Sequence, residues 1–170
     1  MKENKYKKPK IIGHSNKFED SRRLFGHHNL KNQTGASIKV LNSSCNKMTI
    51  IINKPVEEVF EFTTNPKNTH LWISSIEEEI SDKYPPEINT QYQNRGKNPD
   101  WDFYKVVEFQ KNKVFTLTDL DENYFVKYTY RKLNDAQTEL EYFEWVKTGN
   151  LDEPFTKPIL IKLKSIMEDN

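Results

Sequence analysis

Four β-rich runs follow one another between residues 103 and 147, and only short polar breaks part them. The runs are Phe103–Gln110, Val114–Asp119, Tyr124–Leu133 and Thr138–Lys147. The breaks are Lys111-Asn112-Lys113, Leu120–Asn123 and Asn134-Asp135. A parallel crossover needs a dozen residues or more, usually a helix, so these runs can only pair as an antiparallel meander. Two earlier runs, Ile76–Lys83 and Thr90–Arg95, extend it around the Pro85-Pro86 turn and the GKNPD loop.

The segments flanking the meander differ in texture. MTIIINKP (48–55) is β-branched and bounded by Asn53 and Pro55, which predicts a first strand. Pro55 opens a helix where a missing N–H costs nothing. Val56, Val59, Phe60 and Thr63 form its apolar stripe, and Glu57, Glu58 and Glu61 lie off it. Asn65-Pro66 stops this helix, and a second short turn covers Lys67 to Trp72. PFTKPILIKLKSIMEDN (154–170) returns to helical period, with Phe155, Ile159, Leu163 and Ile166 on one side and Pro158 in the first turn. The expected class is α+β: a curved antiparallel sheet whose apolar face is covered by the C-terminal helix. Such packing favours an apolar cavity between the two.

Charge divides the chain. Residues 1–47 carry 11 Lys/Arg against 3 Asp/Glu, a net +8, and residues 48–170 carry 15 against 22, a net −7. Of the 21 aromatic residues, 18 follow residue 47. The leader, residues 1–45, reads as a basic, disordered extension. It lacks the aromatic platform that single-stranded nucleic-acid binding uses. His14, His27, His28 and Cys45 match no zinc spacing, so no metal is expected. Met48, just before the first patterned run, is a candidate start. One cysteine excludes a disulfide scaffold, and no apolar run is long enough to span a membrane. A cytoplasmic location is expected. The acidic body argues against a nucleic-acid partner.

INKPVEEVFEFTTNPKNTHLW (52–72) resembles the opening of the START-like, or SRPBCC, superfamily, which includes polyketide cyclases and lipid-transfer proteins. Pro55, Glu58, Val59, Phe60, Asn65, Pro66, Asn68 and Trp72 occupy the motif positions. YKVVEFQKNKVFTLT (104–118) resembles the family's central hairpin, Thr138-Glu139-Leu140 its last strand, and LKSIME (163–168) the end of its last helix. The resemblance covers residues 46–170. It implies a helix-grip fold, with a sheet wrapped around the C-terminal helix and two short helices after the first strand. It also implies non-covalent binding of a hydrophobic or aromatic small molecule, lipid- or polyketide-like, without a cofactor. A polyketide cyclase or dehydratase and a co-chaperone-like interaction module are the alternatives it offers.

Strand alternation supplies candidate lining residues. In the last strand Leu140, Tyr142, Glu144 and Val146 share a face, and Glu139, Glu141, Phe143 and Trp145 share the other. The early glutamates of the second set place Tyr142 and Glu144 inward. Val126, Tyr128 and Tyr130 point inward likewise, opposite Lys127, Thr129 and Arg131. Trp72 and Trp101 flank the expected mouth. Two readings stand. Glu144 with Tyr128, Tyr130 or Tyr142 forms an acid/base site, the tyrosine stabilising an enolate or carbonyl oxygen. Alternatively, the tyrosines pack with bonded hydroxyls and Glu144 lies at the rim, paired to a lysine. His70 reads as a surface residue, and Asp119, Asp121 and Glu122 as turn chemistry.

Overall fold

A computed structural model describes residues 43–169. The expected disordered leader lies outside them as far as residue 42, and so do His14, His27 and His28. Strand β1 (Cys45–Ile52) leads into α1 (Val56–Thr64), a 3-10 turn (Pro66–Asn68) and the single-turn α2 (Thr69–Trp72). Then come β2 (Glu78–Ser81), β3 (Gln91–Arg95), β4 (Asp102–Gln110), β5 (Val114–Asp119), β6 (Tyr124–Asn134), β7 (Gln137–Val146) and α3 (Lys157–Glu168). The strands form one sheet in the order β1-β7-β6-β5-β4-β3-β2, with every pair antiparallel. The first strand therefore lies beside the last, and β2 forms the opposite edge. This is the α+β, helix-grip architecture, a curved seven-stranded sheet with one C-terminal helix.

Local chemistry explains the elements. Pro55 caps α1 from an extended conformation, and Glu57 and Glu58 sit in the first turn, near the positive end of the helix dipole. The α1 stripe buries Val56, Val59, Phe60 and Thr63, with Thr64 added. Asn65 accepts the Lys67 N–H and starts the 3-10 turn. Sheet and helices meet in a core built on Val59, Phe60, Val106, Phe115, Tyr128, Leu140, Leu160 and Leu163.

Three features differ from expectation by more than a terminal residue. The first strand starts at Cys45 rather than Met48, because Asn46 and Lys47 pair with Glu144 and Phe143 although neither is β-branched. The second strand shrinks to Glu78–Ser81, since it pairs on one side only and Pro85-Pro86 follow closely. In α3 the buried stripe is Leu160, Leu163 and Met167, with Ile159 and Ile166 on its flanks. Phe155 fits the helical period but precedes the helix. It stacks on Tyr142, with ring centroids 4.1 Å apart.

Helix α3 also lies along the outer edge of β1. The Val146 N–H bonds the Ser44 carbonyl, so the even-numbered carbonyls of β1 serve β7 and the odd ones face away. Lys157 Nζ donates to the carbonyl of Thr49. Lys164 Nζ donates to that of Ile51, at 2.7 Å.

Candidate functional site

Register builds the inner face of the sheet row by row. Asn46, Glu144, Val126, Leu117 and Val106 are successive cross-strand partners. Met48, Tyr142, Tyr128, Phe115 and Phe109 form the next row. Leu140 pairs with both Ile50 and Tyr130 one row further on. The opposite face carries the aromatics that alternation placed outward. Phe125, Trp145 and Phe143 stack there as a ladder at 4.9 Å centroid spacing. Lys147 and Lys47 cover its ends. Cross-strand aromatic stacking is a sufficient reason for those residues on a solvated face.

Glu144 is only 2 % exposed. Its Oε1 accepts the Asn46 side-chain amide at 2.8 Å and the Phe155 backbone N–H at 2.6 Å. Its Oε2 accepts the hydroxyls of Tyr124 at 2.7 Å and Tyr142 at 3.0 Å. The expected rim position with a lysine partner is thus corrected: the register drives Glu144 into the core, where four neutral donors replace a cation. A carboxylate offers about four lone-pair positions, and all four are engaged by the chain itself. Asn46 further donates to the Phe155 carbonyl at 2.8 Å. Chemically this unit fastens β1, β6, β7 and the segment before α3 to one another.

The buried tyrosines stay neutral. Burial pushes the phenols of Tyr128 and Tyr142 well above their ordinary range, with neighbouring tyrosines adding to it. Burial also raises Tyr130, partly offset by its 2.7 Å hydrogen bond with Thr63. Trp72 is 1 % exposed and meets Tyr128 and Phe155 edge to face, at 6.4 and 6.0 Å. Its indole Nε1 has no hydrogen-bond partner. Trp72, Tyr128, Tyr142 and Glu144 therefore belong to one cluster through Phe155, and Tyr130 lies a row away under α1. Trp101 stands apart, in the loop before β4, beneath the Arg95 guanidinium at 5.3 Å.

Four participants escaped the sequence reading. Tyr124 shares the alternation of Val126 and Tyr128, a signal that was available. Asn46 lies outside any periodic run, and Phe155 fits the α3 period although it precedes the helix and packs on Tyr142. Glu79, hidden in the Glu77–Glu79 triplet, projects from β2 on the side of the sheet that carries Asn94 and Tyr92. It is half-buried, and desolvation raises its carboxyl to about 6, against hydrogen bonds from Thr69 and Asn94. Among the described residues no group of His, Cys, Asp and Glu is arranged to hold a metal. Asp119 accepts the amides of Asn123 and Tyr124, as turn chemistry requires. No helix of the described residues is long and apolar enough to cross a membrane.

No protein-family model matches the sequence, and no curated protein matches it. Solved structures do. A START superfamily protein from Mycobacterium smegmatis aligns with a TM-score of 0.58 at 12% identity, over 74% of this chain and 97% of that one. The protein XoxI from Bacillus cereus gives 0.56 at 10% identity, over 74% and 96%. The Aha1 dimer from Colwellia psychrerythraea gives 0.54 at 14% identity, over 73% and 96%. With its first strand laid beside its last and its C-terminal helix gripped by the sheet, the chain has a START-like fold.

Proposed function

We propose that the domain binds an apolar or aromatic small molecule non-covalently, between the inner sheet face and α3, without a cofactor. The unpaired indole N–H of Trp72 carries this reading. A buried donor left without an acceptor costs about 1–3 kcal/mol, and such orphans are rare enough to need a reason. Around it Glu144, Tyr124, Tyr130 and Tyr142 are all bonded within the chain. A ligand oxygen would complete the set, and a lipid- or polyketide-like molecule offers an apolar body with few oxygens. The START-like fold supports the same reading. A cyclase or dehydratase would need Glu144 to release one of its four donors first, so binding is preferred to turnover. The unbridged, exposed Cys45 suits a reducing compartment, and the cytoplasm is the location proposed.

The test is native mass spectrometry of the protein purified from its own host, followed by titration with medium-chain alcohols and aromatic ketones. A small-molecule adduct is expected. Trp72→Phe should keep the fold but bind oxygen-bearing ligands roughly tenfold more weakly, the loss of one hydrogen bond. A ligand-free protein that answers none of the probes would refute the proposal.

A further inference from the structure

Glu79 carries the small-molecule reading further, to the charge of the ligand. Glu79 and Glu144 stand on β2 and β7, toward opposite ends of the sheet order. Glu144 is saturated by four donors, and Glu79 is not. Its partners are two neutral groups, the Thr69 hydroxyl at 2.7 Å and the Asn94 amide at 3.2 Å. Half of its lone-pair positions therefore remain for a further donor.

The basic side chains of the neighbouring strands are engaged elsewhere. Arg95 binds Glu78 and lies over Trp101, Lys105 binds Glu122, and Lys127 binds Glu108. Each belongs to the strand parity opposite that of Asn94, Tyr104 or Tyr128, and so to the outer face. The inner-face positions that follow in register carry tyrosines. Asn94, its cross-strand partner, precedes Arg95 on the strand that bears Tyr92, and Tyr92 pairs with Tyr104. The phenols of Tyr92, Tyr104 and Tyr128, raised chiefly by burial, all feel the Glu79 charge. The Thr69 bond seats the carboxylate beneath α2, which carries Trp72 one turn further along the same side.

A half-buried carboxylate with spare acceptor positions, no ion pair among the described residues and tyrosines on the same sheet face matches the chemistry that recognises ammonium groups. The charge supplies attraction and the ring faces supply a second, cation–π contribution that desolvation strengthens. We propose that the ligand bears a protonated amine or quaternary ammonium group, received by Glu79 at the mouth of the site. The proposal rests on the small-molecule reading above. An anionic ligand such as a fatty acid is disfavoured, because two inward carboxylates repel it.

Three probes of one chain length separate the possibilities: decyltrimethylammonium, decanol and decanoate, titrated calorimetrically below their micelle concentrations. The ammonium should bind roughly tenfold more tightly than decanol, and decanoate most weakly. Glu79→Gln should erase the ammonium preference and leave decanol affinity and thermal unfolding at neutral pH no worse. Glu153→Gln, an exposed acid elsewhere, should leave the preference intact. Ammonium binding no tighter than decanol, or a preference that survives Glu79→Gln, overturns the inference while the small-molecule reading stands. Failure of all three probes to bind overturns both.

Discussion

Glu144 shows how partners, rather than burial alone, decide what a carboxylate does. Alternation along β7 was enough to turn it and Tyr142 inward, and along β6 to turn Tyr128 and Tyr130 inward. Its partnership with Asn46 spans 98 residues of chain, and no local pattern records such a bond. Asn46 also sits two ladder pairs ahead of Met48, where the β-branched run begins. With the four donors known, the expected behaviour of variants is specific. Glu144→Ala strands an amide, a backbone N–H and two hydroxyls, and should cost about 3–5 kcal/mol in urea unfolding. Glu144→Gln can keep its oxygen toward Asn46 and Phe155 while the rotatable phenols accept from its nitrogen. It should cost about 1 kcal/mol or less. Equal losses for the two variants would show that the polar unit contributes little.

Element types were legible because the meander spacing leaves one pairing scheme and because α1 follows its period cleanly. Element ends were not. The first three residues of β1 are held by pairing with Trp145, Glu144 and Phe143, a tertiary cause invisible in Cys45-Asn46-Lys47 themselves. The buried stripe of helix α3 lies one position off the sequence period because Phe155, a core residue that fits that period, precedes the helix. The register shift in β4 between Val106 and Glu108 likewise has no sequence signature, although such a bulge bends its strand. A prediction belongs to β1. A chain starting at Met48 loses three ladder positions and the Asn46 amide, whereas one starting at Ser43 keeps both. The shorter chain should be less stable by about 2–4 kcal/mol in urea unfolding, with the deficit mostly reproduced by Asn46→Ala.

Among the described residues, the ion-paired and the buried charges of the sheet lie on different faces. Ion pairs such as Lys127–Glu108 and Lys47–Glu141 lie on the outer face, and Glu79 and Glu144 on the inner. This sorting has a signature in pH. In the unfolded chain Glu79 releases its proton near 4.5, but in the folded chain near 6. Between those values the native state binds the extra proton, so stability falls as pH rises through that window and levels off above it. The loss is on the order of 1–2 kcal/mol, and Glu79→Gln should recover it at pH 7.5 but not at pH 4, as read by urea midpoints. Glu108 acts with the opposite sign. Lys127's hydrogen bond holds its carboxyl down, so its contribution is present above the ordinary glutamate range and disappears on acidification. A sheet of this size also has two open ends, each a template on which another chain can add a strand. At β2 the exposed end is only four residues long. At β1 it is eight, and there Lys157 and Lys164 already occupy the carbonyls of Thr49 and Ile51. An incoming strand would have to displace two ammonium groups and bring its own amides against positive charge. The last helix therefore does more than close the core: its two lysines obstruct strand addition along β1.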